Sequence, residues 1–220
     1  MRKDSSINPN ILLKLLSGIQ TRKMSMQEIK LASGIQSNDV FSQVLSFLQL
    51  YNISEISNEN NFIYFNQSDK IKIAILALKR GCDILSCSKN LTWRDFESFV
   101  SHLLEMFGYN VKSNVYLTKP TVQLDVIGTK NNCAITIDCK HWKYNNKASL
   151  SKYAEKQIYR TQLFLKKNTK IKTALPVIVT LFPVSYIIAG RVPITSITTF
   201  ESFLDNLHMY EEKFTLERSK

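Results

Sequence analysis

Apolar residues recur along the chain in two rhythms, and the change from one to the other divides it. Over roughly the first eighty residues the spacing is mostly helical. Ile11, Leu12, Leu15 and Leu16 fall on one face of a short helix over 10–17. Ser25 stands at an N-cap position with Glu28 three residues on, which predicts a capping box and a helix over 26–32. Ser33-Gly34 breaks that helix, and Ser37-Asn38-Asp39 opens a longer one in which Val40, Val44, Leu45, Phe47, Leu48 and Tyr51 repeat at helical spacing. A hairpin follows, with strands over 53–56 and 62–65 around the polar turn 57–61, and a helix over 69–80 closes the unit.

Helix, helix, turn, helix, hairpin is the order of a winged helix, so residues 1–81 are expected to form a small, mostly helical, winged-helix-like domain. The resemblance is one of pattern, because no residue motif marks that fold. The helix after Ser37 would be the one offered to a nucleic-acid groove. It carries Asn38, Ser42, Gln43 and Ser46 but no Lys or Arg, so contact with nucleic acid and a dimerisation role both stand for this unit.

Residues 82–90 are expected to be a short polar connector. Beyond it the rhythm changes. Thr92 caps a helix to 107 whose apolar face is Phe96, Phe99, Val100, Leu103, Leu104 and Phe107, ended by Gly108. Strands are expected over 111–117, 123–128 and 133–140, then a long basic helix over 150–166, a buried strand over 175–181, and a helix over 200–209. This order predicts an α/β domain over 91–220: a mixed sheet flanked by helices.

Charge sharpens the picture. The chain carries a formal net charge of +11, and the stretch from Lys130 to Lys172 alone holds 11 basic residues against two acids, Asp138 and Glu155. Charge gathered in one stretch suits a polyanion's phosphates better than it suits general solvation. No apolar run approaches the roughly 20 residues that span a bilayer, and the N-terminus lacks an apolar segment of the signal-peptide kind. The expectation is a cytoplasmic protein, nucleoid-associated if it binds DNA. The four cysteines, Cys82, Cys87, Cys133 and Cys139, include no CxxC pair, which leaves little basis for zinc and makes reduced thiols the default.

Alternation over 133–140 puts Ala134, Thr136, Asp138 and Lys140 on one strand face and Cys133, Ile135, Ile137 and Cys139 on the other. Asp138 and Lys140 therefore project together at the end of a strand with an apolar back, and Cys139 belongs to that back as a small core residue. Asp125 lies within an apolar strand, where an Asp costs several kcal/mol unless it is paired or bound to metal. Two explanations suit it: a metal site, or a simple pair with Lys140 across the strands. Glu97 lies beside the apolar face of the first helix of this domain, where a carboxylate can point inward; taken alone, such a residue is more often solvated, and its weight comes from the acids and lysine that follow. Hydrolysis of a phosphodiester needs an activated water and neutralisation of phosphate charge, and carboxylate-held divalent ions supply both.

These residues form a recognisable series. Phe96-Glu97-x-Phe99-Val100-x-x-Leu103-Leu104-x-x-x-Gly108-Tyr109-x-Val111, then Leu124-Asp125-Val126-Ile127, then Ile137-Asp138-Cys139-Lys140 resembles the PD-(D/E)XK nuclease superfamily, and within it most resembles the Mrr-type restriction endonuclease domains. Residue 124 is Leu where the family pattern has Pro, a permissive position. The resemblance implies a restriction-endonuclease-like fold in which Asp125, Asp138 and the backbone carbonyl of Cys139 bind Mg²⁺ or Mn²⁺, with Glu97 assisting. It further implies that Lys140 is the catalytic base or stabiliser and that Gln157 is the helix glutamine often found in relatives. Lys152, Lys156 and Arg160 recur at helical spacing and, with Lys143 and Lys147, are the expected nucleic-acid contacts. His102 and His141 are read as solvated. Trp142 and Tyr144 serve equally well as a stacking surface or as a packed hinge.

The function expected is a metal-dependent DNA endonuclease hydrolysing phosphodiester bonds. A nuclease-fold DNA-binding protein that does not cut, and an RNA-processing nuclease, are the alternatives. A homodimer is expected, because one active site per chain cuts two strands most simply in pairs. Nothing in the sequence names a helicase or other DNA-processing partner.

Overall fold

A computed structural model describes residues 7–57, 61–140, 147–185 and 187–217. The chain forms two compact units, residues 1–95 and 96–220.

The first unit runs α1 (Pro9–Gly18), β1 (Lys23–Ser25), α2 (Met26–Ser33), α3 (Asn38–Leu50), β2 (Glu55–Ser57), β3 (Phe62–Tyr64), α4 (Gln67–Lys79) and α5 (Ile84–Lys89). The capping box at Ser25 and Glu28 is present, and Gly34 ends α2 in the left-handed region at φ 65°. Ser37 caps α3 as expected, accepting a hydrogen bond from the Val40 N–H. Leu12, Leu15, Leu16, Val44, Phe47 and Leu48 are buried and make the core, which is why their helices form.

Three details differ from the sequence expectation. β1 was not foreseen: three residues are too few to show alternation, yet it joins a three-stranded antiparallel sheet in the order β1-β3-β2 and buries Met24. The hairpin's first strand is set later, over Glu55–Ser57. The expected connector holds helix α5, because the Asp83 carboxylate accepts the N–H groups of Leu85 and Ser86 and Cys87 is buried beneath.

The helix that leads into the second unit, α6 (Trp93–Met106), begins at a reciprocal cap in which the Asp95 carboxylate accepts from the N–H and hydroxyl of Thr92, and Thr92 Oγ1 accepts from the Asp95 N–H. Then follow β4 (Asn110–Leu117), β5 (Val122–Lys130), β6 (Cys133–Lys140), α7 (Lys147–Lys167), β7 (Thr173–Thr180), β8 (Ile188–Ala189), β9 (Val192–Ser196), α8 (Phe200–Asp205), α9 (His208–Phe214) and β10 (Leu216–Glu217). The sheet order is β4-β5-β6-β7-β9-β8. β4, β5 and β6 are antiparallel neighbours, and β6-β7 and β7-β9 are parallel. Thus α7 is the crossover helix between parallel strands. β10 pairs antiparallel with the start of β7, through Leu216↔Ala174 and Glu217↔Thr173. The helix expected over 200–209 is divided, since the Asn206 side chain takes the Ser202 carbonyl and ends α8.

Helices cover both faces of this sheet. A Cβ on Gly128 would meet Leu104 of α6 at 3.2 Å and Ile135 of β6 at 3.0 Å, so α6 approaches the face that carries Ile135. On the opposite face Ile127 and Ala134 cluster with Phe164 and Leu165 of α7. That is why both faces of β6 are buried and why its pattern blends apolar and polar residues. Among the described residues no helix is long and apolar enough to cross a membrane.

Candidate active site

Of the residues singled out in the sequence, Glu97, Asp125, Asp138 and Lys140 gather where β5 and β6 part. The ladder between these strands runs from Lys130↔Cys133 to Val126↔Ile137 and has no rung at Asp125 and Asp138. On the other side of β5, rungs join Ser113↔Val126 and Val115↔Leu124, with none between Asn114 and Asp125. Both ladders therefore open at Asp125, which frees backbone groups for side chains. The Cys139 N–H donates to Asp125 Oδ2 at 2.9 Å.

Asp138 is 2% exposed and faces two cations. Lys140 Nζ lies 2.7 Å from its carboxylate, and Arg160 Nη1 of α7 donates to its Oδ1 at 3.0 Å. The Asp125 carboxylate is held by a backbone N–H, while Lys140 pairs with Asp138. Lys140 Nζ also sits 5.2 Å over the ring of Tyr153, which limits where the ammonium can go.

Glu97 comes from the first turns of α6 and is 3% exposed. Burial, then the charge of Asp125, pushes its carboxyl up to about 7; the side chain of Asn114 and the charge of Lys140 act against the rise, and that of Asp138 adds to it. Burial and the charge of Asp138 likewise raise Asp125, opposed by the Cys139 N–H and by Lys140 and Arg160. The charges of Asp125 and Asp138 raise Glu97, and that of Asp138 raises Asp125, so the acids form an electronegative centre, with two cations on Asp138. Cys139 is fully buried, and its thiol is held well above the usual range, chiefly by burial, in keeping with a packing role.

Asn114 is the site residue that pattern reading missed. It sits in the edge strand at φ 52°, a conformation Asn tolerates better than most residues. Its Oδ1 accepts from Gln123 Nε2 at 2.9 Å, and its side chain lowers the proton affinity of the Glu97 carboxyl. Asn114 thereby couples the β4–β5 hairpin to the acid on α6. The available signal was a polar residue opposite Asp125 in the hairpin register.

Gln157 is buried but does not reach the acids. Its Nε2 donates to the Thr136 carbonyl at 2.8 Å, two residues before Asp138, and its Oε1 has no partner among the described residues. Lys152 and Lys156 are exposed on α7. Arg160 leaves that exposed row, because each four-residue step turns a side chain by about 40° around the helix and two steps carry it toward the sheet. The backbone of Lys147 begins α7, and nothing is described of its side chain. Lys143, with His141, Trp142 and Tyr144, lies outside the described residues.

A consequence can be measured on the metal-free protein. Glu97 has its folded pKa, about 7, above the ordinary value. An acid raised on folding contributes its full stability below the unfolded pKa, about 4.3, and loses it as pH climbs through the folded one. Urea unfolding in EDTA is therefore expected to give falling stability from pH 5 to pH 8. Replacing Glu97 by Gln should remove about 1–2 kcal/mol of that fall, solvent near the site reducing the full shift. An identical pH slope in the variant would show that Glu97 is ordinary in solution.

Buried acids on an α-helix and two central strands, with a strand-end lysine beside them, lie on a restriction-endonuclease-like fold. Residues 88–165 match the restriction endonuclease family model Mrr_cat. The match takes in α6, β4, β5, β6 and most of α7, the elements that carry Glu97, Asp125, Asp138 and Lys140. No curated protein matches the chain. Among solved structures the chain is similar to protein VC1899 from Vibrio cholerae, at 16% identity over 94% of this chain and 52% of that one, with a TM-score of 0.42. It is similar to a protein of unknown function, AF1548, at 18% identity over 48% and 58% of the two chains, with a TM-score of 0.36. It is also similar to Can2 from Sulfobacillus thermosulfidooxidans, solved in complex with cyclic tetra-adenylate, at 14% identity over 96% and 53%, with a TM-score of 0.36. The chain thus spans a little over half the length of each of these proteins.

Proposed function

We propose that the chain is a metal-dependent endonuclease that hydrolyses phosphodiester bonds in DNA. The observation that supports this reading is the burial of Glu97, Asp125 and Asp138 beside Lys140, on elements matched by the nuclease family model.

Among the described residues no three His, Cys, Asp or Glu side chains are gathered as a formed metal centre. The donor chemistry nonetheless suits a hard divalent ion: the acids are carboxylates, they repel one another, and an added cation would relieve that repulsion. Asp125, Asp138, the carbonyl of Cys139 and Glu97 are the groups that would hold Mg²⁺ or Mn²⁺. Such an ion, when bound, supplies Lewis-acid stabilisation of the phosphate and a more acidic water. The chain's own contribution is positional. Asn114 orients the Glu97 carboxyl, the Cys139 N–H fixes Asp125, and Lys140 Nζ holds a positive charge at the strand end, where it can stabilise the phosphate or take a proton from water.

The exposed Lys152 and Lys156 on α7 would contact the phosphate backbone, and Lys143 and Lys147 would extend that contact. The first unit, with order α1-β1-α2-α3-β2-β3 and a three-stranded sheet, supports a winged-helix module that positions substrate or pairs two chains. Plasmid, linear duplex and RNA substrates, each with Mg²⁺, Mn²⁺ or EDTA, test the reading. Cleavage of DNA that requires the metal is expected. Metal-independent cleavage would overturn the metal assignment, exclusive cleavage of RNA would overturn the substrate, and DNA binding without any cleavage would make the chain a nuclease-fold binding protein.

A further inference from the structure

The cations along α7 change character at Arg160. Lys152 and Lys156 are exposed, whereas Arg160 is half-buried and its guanidinium ends on the Asp138 carboxylate. We propose that Arg160 is the resident counter-cation of the acidic cluster and competes with a divalent ion for Asp138. This rests on the reading of Asp125 and Asp138 as metal ligands.

The geometry of the Asp138 carboxylate carries the argument. Its Oδ1 receives Lys140 Nζ at 2.7 Å and Arg160 Nη1 at 3.0 Å, and its Oδ2 also lies 2.7 Å from Lys140 Nζ. Both oxygens are thus held by cations, and a metal ion bound there competes with resident donors for their lone pairs. Lys140 is the less able to leave. It lies two residues along the same strand, paired with Thr180 of β7, its carbonyl accepts from the Leu181 N–H at 2.9 Å, and its side chain is 15% exposed. Arg160 reaches in from the helix on a long, flexible arm, and its side chain is 28% exposed. Its release exchanges a charge-assisted hydrogen bond for water.

Asp138 is 2% exposed, and Arg160 supplies part of the counter-charge that a buried carboxylate requires. The cost is competition, so apparent metal affinity is weaker than the ligand set alone would give.

The test is Mn²⁺ binding to the full chain without nucleic acid, followed by isothermal titration calorimetry and by electron paramagnetic resonance of free Mn²⁺. Arg160→Gln is expected to bind Mn²⁺ about 10-fold more tightly than wild type, the size of one charge-assisted hydrogen bond. Lys156→Gln, which removes an equal charge from the exposed face, is expected to change affinity less than about 2-fold, and the Arg160→Gln gain should persist at high salt. Asp138→Asn should lose binding. Circular dichroism reports folding; should Arg160→Gln fail to fold, Arg160→Lys, whose shorter arm pairs less well, is expected to bind about 3-fold more tightly. If wild type binds Mn²⁺ through Asp138 and the Arg160 variants bind no more tightly, the competition is overturned while the metal-site reading stands. If neither wild type nor variant binds Mn²⁺, both fall.

Discussion

Lys140→Ala is expected to lower the rate of DNA cleavage by about 10³-fold at saturating Mg²⁺, with the fold intact. The size follows from the role: a positioned cation or general base contributes about 10²–10⁴-fold, and no other lysine among the described residues is paired with Asp138. The fold should survive because Asp138 keeps Arg160 as a partner, at 3.0 Å, so no buried charge is left alone. Asp138→Asn should reduce cleavage at least as far and with a different signature. It leaves the cations of Lys140 and Arg160 facing a neutral amide, so thermal stability should fall with activity, and Mn²⁺ binding should be lost, whereas Lys140→Ala should retain it. Lys152→Ala serves as the contrast, since an exposed backbone contact is expected to weaken nucleic-acid affinity by a few-fold, with turnover unchanged at saturation. Single-turnover assays with both variants and the contrast decide the matter. Unchanged cleavage in Lys140→Ala would remove this site from the chemistry.

How much of this could be foreseen depends on the range of the interaction. The capping boxes, the long strands and the crossover helix follow from local rules, and they appear near where alternation and cap residues put them. Glu97, Asp125, Asp138 and Lys140 were legible because their strand and helix contexts are local and their order matches a known family. What stayed hidden involves contact across elements or very short segments. β1 and β10 contain three and two residues and gain their definition from partner strands. Asn114 matters because the hairpin register sets it opposite Asp125 and α6 brings Glu97 above it, neither of which leaves a periodic signal. Arg160 looked like one more cation in a helical row. Only the turn of the helix relative to the sheet takes it from solvent to Asp138, and that turn is set by the packing of Phe164, Leu165 and Thr161 on β6 and its neighbours.

Asp125→Asn is expected to move stability and activity in opposite directions. Cleavage should fall by about 10³-fold, because a neutral amide is a poor ligand for a hard divalent ion. The metal-free protein should nevertheless gain about 1 kcal/mol at pH 8, the size of a modest relief of burial and like-charge repulsion. Burial and the Asp138 charge raise the Asp125 carboxyl above its ordinary value, so its contribution to stability is full at low pH and is lost as pH rises through the folded pKa. Asn has no such loss. It can still accept the Cys139 N–H through its side-chain oxygen, so that hydrogen bond between the strand ends is kept. The gain should therefore be largest at pH 8 and absent near pH 3, where the acid is protonated both folded and unfolded. Metal reverses the order. Mn²⁺ at about 100 times its dissociation constant would stabilise wild type by about 2.7 kcal/mol and the variant hardly at all. Urea unfolding at pH 5 and pH 8, with EDTA and with Mn²⁺, measures all four corners. A variant less stable than wild type at pH 8 in EDTA would mean that Asp125 serves the fold as a charge partner, and it would support the pairing role over the metal role.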